Sequence, residues 1–307
     1  MAGIINTGSH PALLWPGIKT VWGYIYKDWA TQYTDLVDEV SSDKAYEEYV
    51  QVAGFGMASV KPQGDALVYD REQQGATTRL TNVTFALGYM VTFEEIQDNL
   101  YEKVGGRRAQ ANARAMRITK EFIVANMYNR AFTAGYTGGD GVVLCSTAHP
   151  LVFGGTQANT PTVAVPLSEA ALEDQVISIM GLADDRGLPA MIMPSSLIVA
   201  RANLFNAHRI LDSVYQNDTA NNAVNVLKAT NMFPGGIKMN VYLSSPNAWF
   251  IRTSGFTPGE GLIYQSRMPA TFDQDNDFDT KNAKAASVER YAVGWADWRA
   301  IWGVNAS

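Results

Sequence analysis

The sequence predicts an α+β fold, and three observations carry the prediction. Helix-type and strand-type segments are mixed along the chain without a regular βαβ alternation. One long segment, 92–132, has helical periodicity. Another, 77–91, is rich in the Thr, Val, Phe and Tyr that favour pleated strands. No internal repeat is found.

Residues 1–20 carry Gly3, Gly8, Pro11, Pro16 and Gly17 with few charges, and read as an irregular arm. Residues 21–40 add Trp22, Tyr24, Tyr26, Trp29 and Tyr33, a stretch suited to core packing or to anchoring the arm on a neighbour. From 43 to 91 the chain reads as extended. A strand is predicted over 46–52; Gly54, Gly56, Pro62 and Gly64 punctuate a tip, and 67–70 begin the return. This two-stranded excursion has little apolar material of its own. An isolated ribbon is marginally stable in water, so it needs a surface, and in an assembly another subunit can supply one.

In the long helix, Thr92 followed by Glu95 makes a capping box. Ala111, Ala115, Ile118, Phe122, Ala125 and Phe132 recur at helical spacing and predict its inward face. Gly105-Gly106 is expected to break or bend it. The part after the glycines would be roughly 39 Å long at 1.5 Å per residue. Its other faces carry Arg107, Arg108, Arg114, Arg117 and Lys120. That stripe reads either as a solvated face with pairs such as Arg117–Glu121, or as a face turned toward DNA or acidic subunits. A glycine-rich turn over 135–141 leads into a predicted short strand, 142–145. Ser168 is placed as N-cap of a second helix reaching 183, with Leu172, Val176, Ile179 and Met180 inward. Further on come a buried strand (197–200), a third helix (202–215), and strands at 241–243 and 249–252 around a Ser-Ser-Pro-Asn turn. A strand pair heavy in Trp and Tyr, 288–304, closes the chain.

With 307 residues and 47% hydrophobic content, the chain can bury one large core or two smaller ones. Charged residues are 18%, below the usual quarter, so much of the polar surface is Asn, Gln, Ser and Thr, which suits broad protein contacts. A net charge of −6 and a pI near 5.1 argue against a dedicated nucleic-acid binder, which draws its affinity from a basic excess. The single cysteine, Cys145, excludes an intrachain disulfide and fits a reduced cytoplasm. The first twenty residues lack the pattern of a signal peptide, and no run of about 18 apolar residues marks a membrane span. No membrane partner is expected.

Motifs that could carry chemistry fail on inspection. Cys145 and His149 stand four apart and could form a thiolate and its base; a turn before Pro150 accounts for the same residues. The run Asp273-Gln-Asp-Asn-Asp-Phe-Asp279 begins like a calcium loop, but Phe278 and Lys284 occupy the positions that need Gly and Glu. It reads as an acidic surface loop. Thr137-Gly-Gly-Asp-Gly141 lacks the Gly-Lys-Ser/Thr of a phosphate loop and reads as a tight turn. Neither a metal nor a cofactor is expected. Glu94 and Glu95 complement a helix N-terminus, and they and the pair Asp184-Asp185 need no catalytic explanation.

The order of elements resembles the major capsid proteins of tailed bacteriophages, which share the Hong Kong 97 phage fold, and among these the Mu-like major head subunit group. The pieces run from Val91-Thr-Phe-Glu-Glu-Ile96 through Gly139-Asp-Gly-Val-Val-Leu-Cys-Ser-Thr-Ala-His-Pro150 and Pro194-Ser-Ser-Leu-Ile-Val199. They continue with Asn221-Asn-Ala-Val-Asn225, Val241-Tyr-Leu243, Asn247-Ala-Trp-Phe-Ile251, Gly261-Leu-Ile-Tyr-Gln-Ser-Arg267, Glu289-Arg-Tyr291 and Asp297-Trp-Arg299. Each piece is weak alone; their order and spacing are specific.

The resemblance implies a shell-building head protein, not an enzyme. It implies an N-terminal arm (1–42), an E-loop (43–91) lying over a neighbouring subunit, and a peripheral domain with its spine helix (92–187). An axial domain (188–270) would meet its copies at five-fold and six-fold centres, and C-terminal strands (271–307) would return to the peripheral domain. Gly54, Phe55, Gly56, Lys61 and Pro62 would form the inter-subunit tip. The spine helix on the inner side would bring Arg107, Arg108, Arg114, Arg117 and Lys120 near the packaged double-stranded DNA, by proximity only. Pentamers and hexamers of the chain, a separate scaffold protein, a portal and room for a decoration protein are the implied partners. The virion capsid, assembled in host cytoplasm, is the implied location. Some relatives cross-link a Lys to an Asn, and Lys61 is the lysine so placed. An encapsulin-like compartment shell is the alternative, and a hydrolase using Cys145 is a third reading.

A compact monomer of this length would have a radius of gyration of about 19 Å. A projecting arm and loop predict a clearly larger value by small-angle scattering of the unassembled subunit; a value near 19 Å would count against them.

Overall fold

The computed structural model describes residues 15–92, 94–95, 101–216, 223–277, 279–280 and 282–306. The first element, α1 (Trp15–Asp28), starts inside the segment predicted to be irregular. Pro16 does not prevent it, because a proline in the first helical turn gives up an N–H that would have no intrahelical partner. The rest of the predicted arm, 1–14, lies outside the described residues. After a single 3-10 turn come β1 (Asp38–Ser41), β2 (Tyr46–Ala53), β3 (Gln73–Thr81) and β4 (Val83–Val91). The predicted return strand is therefore two strands, divided at buried Asn82. β3 pairs antiparallel with β2, and the next strand takes a different partner.

The long helix is α2 (Tyr101–Asn129), and it passes through Gly105-Gly106 without a break. Two helical glycines cost about 2 kcal/mol relative to alanine, which a packed face can offset. That face is rotated from the predicted one. Ala125 is buried as expected, and so are Ala109, Ala113, Met116, Val124 and Tyr128, while Ala111 and Phe122 are exposed and Ala115, Ile118 and Phe132 are half-buried. Asn112, Arg117, Lys120 and Glu121 are buried on the same helix, so polarity disguises the inward face in the sequence.

The predicted strand 142–145 reduces to one bridge, Val143 to Thr137. A two-residue pair, β5 (His149–Pro150) with β6 (Thr156–Gln157), follows. Helix α3 (Glu169–Met180) is capped as predicted: Ser168 Oγ accepts from Ala171 N at 3.2 Å. Leu172, Val176 and Ile179 are buried, whereas Met180, the last helical residue, is exposed. Next come β7 (Met193–Ala200), α4 (Leu204–Asp212), α5 (Val226–Ala229) and β8 (Ile237–Asn240). β8 precedes the strand expected at 241–243, because the chain already turns at Val241. The remainder is β9 (Ala248–Ser254), β10 (Leu262–Asn276), β11 (Ala283–Trp295) and β12 (Ile301–Asn305).

The chain forms two compact units. Unit 1 comprises 1–32, 82–123 and 266–292; unit 2 comprises 33–81, 124–265 and 293–307. In unit 2 the sheet β12–β9–β7–β8 is antiparallel except for β7–β8. It backs a core of Leu172, Ile179, Leu197, Val199, Trp249 and Ile251 with Trp298 and Trp302. In unit 1, β11 lies between β10 and β4, in register from Ala283↔Val91 to Tyr291↔Val83. Its core gathers Trp22, Val91, Ala109, Ala113, Phe272, Ala283 and Ala285.

Unit 1 is fastened by polar groups inside that core. Asn112 Oδ1 accepts from Trp22 Nε1 (2.9 Å) and Ser287 Oγ (2.7 Å), and its Nδ2 donates to the Leu87 carbonyl at 2.9 Å. One amide thus joins α1, α2, β4 and β11. Trp22 stacks on Tyr26 and Phe272. Nearby, Lys120 pairs with Glu289, both nearly free of solvent, and Glu289 Oε2 accepts from Tyr26 OH at 3.0 Å. Burial, and then the Glu289 charge, push the Tyr26 phenol above its ordinary range, so it stays a donor.

Removing one partner of such a pair leaves the other charge buried. Glu289→Ala is expected to cost about 3–5 kcal/mol, measured by denaturant unfolding, with Lys120→Met/Glu289→Leu recovering much of the loss.

Candidate subunit interface

The ribbon β2–β3 is built and seated in unit 2. Its strands pair from Tyr46↔Thr81 to Ala53↔Gln73, with a bulge between Val50 and Val52. Across the pair, Arg79 bonds Glu48 at 2.6 Å and covers the Tyr46 ring at 4.3 Å, holding the strands on their exposed face. The other face rests on the same unit. Tyr49 OH donates to Gln265 Oε1 at 3.0 Å, and Gly139 N donates to Thr78 Oγ1 at 3.1 Å. Gly139 is a glycine because of that approach: a Cβ there would stand 2.5 Å from the Thr77 carbonyl oxygen. At Gly294 a Cβ would stand 2.4 Å from a Leu80 methyl carbon.

Beyond Ala53 and Gln73 the strand pairing ends. Residues 54–72 contain no regular element, and their large apolar side chains are solvent-facing: Met57, Val60 and Tyr69 are 81%, 95% and 88% exposed, with Phe55, Leu67 and Val68 also open. Single exposed apolar residues are ordinary; a contiguous set marks an interaction surface. Gly54, Phe55, Gly56, Lys61 and Pro62 all lie on this tip. Turn chemistry marks Gly54, Gly56 and Pro62 in the sequence, the resemblance adds Phe55 and Lys61, and 67–70 reads only as the start of the return; nothing local marks Met57 and Val60. Their spacing has no periodicity, so the available signal was composition alone.

The basic stripe of α2 divides. Arg107 and Arg114 are exposed, and Arg114 lies over the Trp29 ring at 4.9 Å. Arg108 is half-buried and bonds Glu95 at 2.9 Å. Arg117 and Lys120 are buried in unit 1 and belong to its core, where Lys120 neutralises Glu289. They are not members of an exposed basic face, because α2 turns its rotated inward side, which includes them, against α1 and β11.

Cys145 and His149 are brought to different partners. His149 is fully buried and stacked on Trp298 with ring centres 4.3 Å apart. Its Nδ1 lies 2.6 Å from Asp140 Oδ2 and its Nε2 lies 3.1 Å from Asn159 Oδ1. Asn159 Nδ2 in turn donates to the carbonyls of Leu144, Trp298 and Ile301. This is a brace between the 140–159 loop and the C-terminal strand. Cys145 Sγ packs against Gly303 instead. Burial pushes the thiol far above its ordinary pKa, which keeps it protonated and a poor nucleophile. The acidic run 273–279 starts as the end of β10, and Asp277 Oδ2 bonds Lys284 Nζ at 2.5 Å. Among the described residues no three His, Cys, Asp or Glu groups are placed to share a metal ion.

A family model described as phage capsid protein matches residues 75–304. No curated protein matches the sequence. Among solved structures, the chain is similar to the virus-like particle from Pyrococcus furiosus, with TM-score 0.54 and 12% identity over 94% of this chain and 98% of that one. It is similar to the procapsid of bacteriophage JBD30, with TM-score 0.51 and 16% identity over 97% and 76%. Mycobacterium phage Che8 gives 0.51 and 14% over 91% and 93%. At such identities the likeness is one of fold.

Native protein should not react with a thiol reagent such as DTNB at neutral pH, and one equivalent should react once it is unfolded. Rapid native labelling would return Cys145 to the list of chemical groups.

Proposed function

This chain belongs to the phage capsid protein family, and from that premise we propose that the β2–β3 ribbon ties one subunit of the head shell to the next. The protein is a shell-forming major capsid protein with a Hong Kong 97-type fold, and it works as a homo-oligomer in the virion capsid. Its function is structural. The observation that carries the ribbon's role is the tip at 54–72, which presents a set of large apolar side chains that its own unit leaves uncovered.

Magnitudes favour a tip that acts in numbers. Full burial of Phe55, Met57, Val60, Leu67 and Val68 would contribute at most roughly 8–15 kcal/mol. Association costs about 4–15 kcal/mol in lost freedom. One contact is therefore weak, and a subunit can sample and leave wrong positions. In a closed shell each new contact becomes effectively intramolecular once the neighbours are placed, so weak contacts sum to a stable particle. Rings of five and six require head-to-tail interfaces, which a projecting tip and a distant acceptor surface satisfy.

The further assignments belong to this reading. The segment 188–270, which lies in unit 2 as far as Gln265, is the axial domain that meets its copies at ring centres. Helix α2 is the spine helix, with Arg107, Arg108 and Arg114 as its DNA-proximal cations. A scaffold protein and a portal complete the assembly, which takes place in the host cytoplasm. The compartment-shell alternative is not favoured, since the matching family is one of phage capsids.

Light scattering after size exclusion, with negative-stain microscopy of the peak, tests the reading on protein expressed alone and with its neighbouring scaffold gene. Rings, tubes or closed shells are expected. A monodisperse monomer or dimer under both conditions would overturn it. Deleting residues 54–64 should leave a folded subunit that forms no normal shells; normal shells from that variant would remove the tip from the interface.

A further inference from the structure

Where the ribbon's ladder stops, a single side chain takes over. Arg186 sits in a tight turn made rigid by Asp184, whose Oδ1 accepts from Arg186 N and Leu188 N, both at 2.8 Å. The turn is closed by Asp184 N donating to the Leu188 carbonyl at 2.7 Å, and Gly187 supplies the left-handed φ of +80°. From this base the guanidinium reaches both legs of the ribbon at the point where pairing ends. Nε donates to the Gly54 carbonyl at 3.0 Å, one residue past β2. Nη2 donates to Asp70 Oδ1 at 3.3 Å and to the Arg71 carbonyl, just before β3. The cation also lies over the Phe153 ring, 4.0 Å from its centre.

Asp70 completes the joint. Its Oδ2 accepts from Gly56 N at 2.7 Å and its Oδ1 from Arg71 N at 2.8 Å, so one carboxylate bridges the two legs. Those two backbone donors, with Arg186 after them, hold the carboxyl below its usual range. The joint is thus formed by the planar fork of one arginine, by two carbonyls that would otherwise face water, and by one carboxylate. Beyond it, 57–69 has no comparable tether to unit 2 among the described residues.

We propose that Arg186 is the positioning residue of the ribbon tip: by gripping Gly54, Asp70 and Arg71 together it fixes the direction in which the tip leaves the subunit before a neighbour is met. The proposal rests on the reading of the tip as the inter-subunit contact. A tip held in one direction loses less freedom on docking than a swinging one, and preorganisation of this kind strengthens association without adding a contact. A lysine in its place would present one compact ammonium instead of a planar fork, and would hold the two legs less firmly.

The test compares wild type with Arg186→Ala, Arg186→Lys and Asp70→Asn in two readouts. Hydrogen exchange by mass spectrometry is measured on the dilute, unassembled subunit. Shell formation is followed by light scattering as protein concentration is raised. In Arg186→Ala, exchange across 53–73 should rise about two- to fivefold, the factor expected for a part-exposed ion pair, with β7 and β9 unchanged. The concentration needed for shells should rise by a similar factor. Arg186→Lys and Asp70→Asn should fall between. Unchanged exchange at 53–73 in all three variants would overturn the proposal, and so would shells forming at wild-type or lower concentration. If Arg186→Ala fails to fold, the two milder variants decide. If wild type itself forms no particles, the shell reading fails while the exchange data still judge the clamp.

Discussion

A two-stranded ribbon cannot stabilise itself in water, and that constraint organises much of unit 2. The ribbon's root is held by close backbone approach. Gly139 lies against Thr77 and Thr78, Leu80 fills the space above Gly294, and Tyr49 reaches Gln265. Each contact demands a small residue or a polar partner at one position, so the 138–141 turn and β11 are shaped to receive the ribbon. The ladder runs out at Ala53 and Gln73. Past that line the chain keeps apolar side chains in solvent, which an isolated globular domain has little reason to do and a shell subunit does.

Unit 1 solves a different problem. Helix α1 and helix α2 meet a sheet through a core that is small in apolar volume and rich in buried polar groups. Asn112 satisfies its carbonyl twice and donates once, so its burial costs little. The Lys120–Glu289 pair is less secure energetically, because desolvating two charges offsets most of their attraction. What the pair supplies is register: Glu289 on β11 meets Lys120 and Tyr26, and a shift of one residue along β11 would turn it to the opposite face. The aromatic surround of Tyr26 and Tyr291 adds cation–π contact to the lysine.

The charge pattern of α2 follows from the same packing. A helix that buries Arg117 and Lys120 keeps only part of its basic stripe for solvent. Arg107 and Arg114 remain open, too few to give a protein of net charge −6 the basic excess on which nucleic-acid affinity depends. The buried Asp140–His149–Asn159 brace and the inert Cys145 fit the same picture. Groups that look chemical in the sequence serve as struts in the fold.

The α+β class, the long helix, the Ser168 cap, the buried strand at Leu197–Ala200 and the ribbon with its tip were legible in the sequence, because each has a local signal: periodicity, a capping side chain, an apolar run, or glycine punctuation. The order of those elements also carried the family. Tertiary structure alone decided the rest. The inward face of α2 is set by partners on α1 and β11, so Lys120 is core and Phe122 is surface, against the hydrophobic pattern. The split of 77–91 at Asn82 depends on β11, some two hundred residues away in the chain. The grip of Arg186 on Gly54 and Asp70 joins positions with no local relation. Local propensity acts over a few residues, whereas choice of partner and desolvation are settled only when distant segments meet, and no local pattern encodes them.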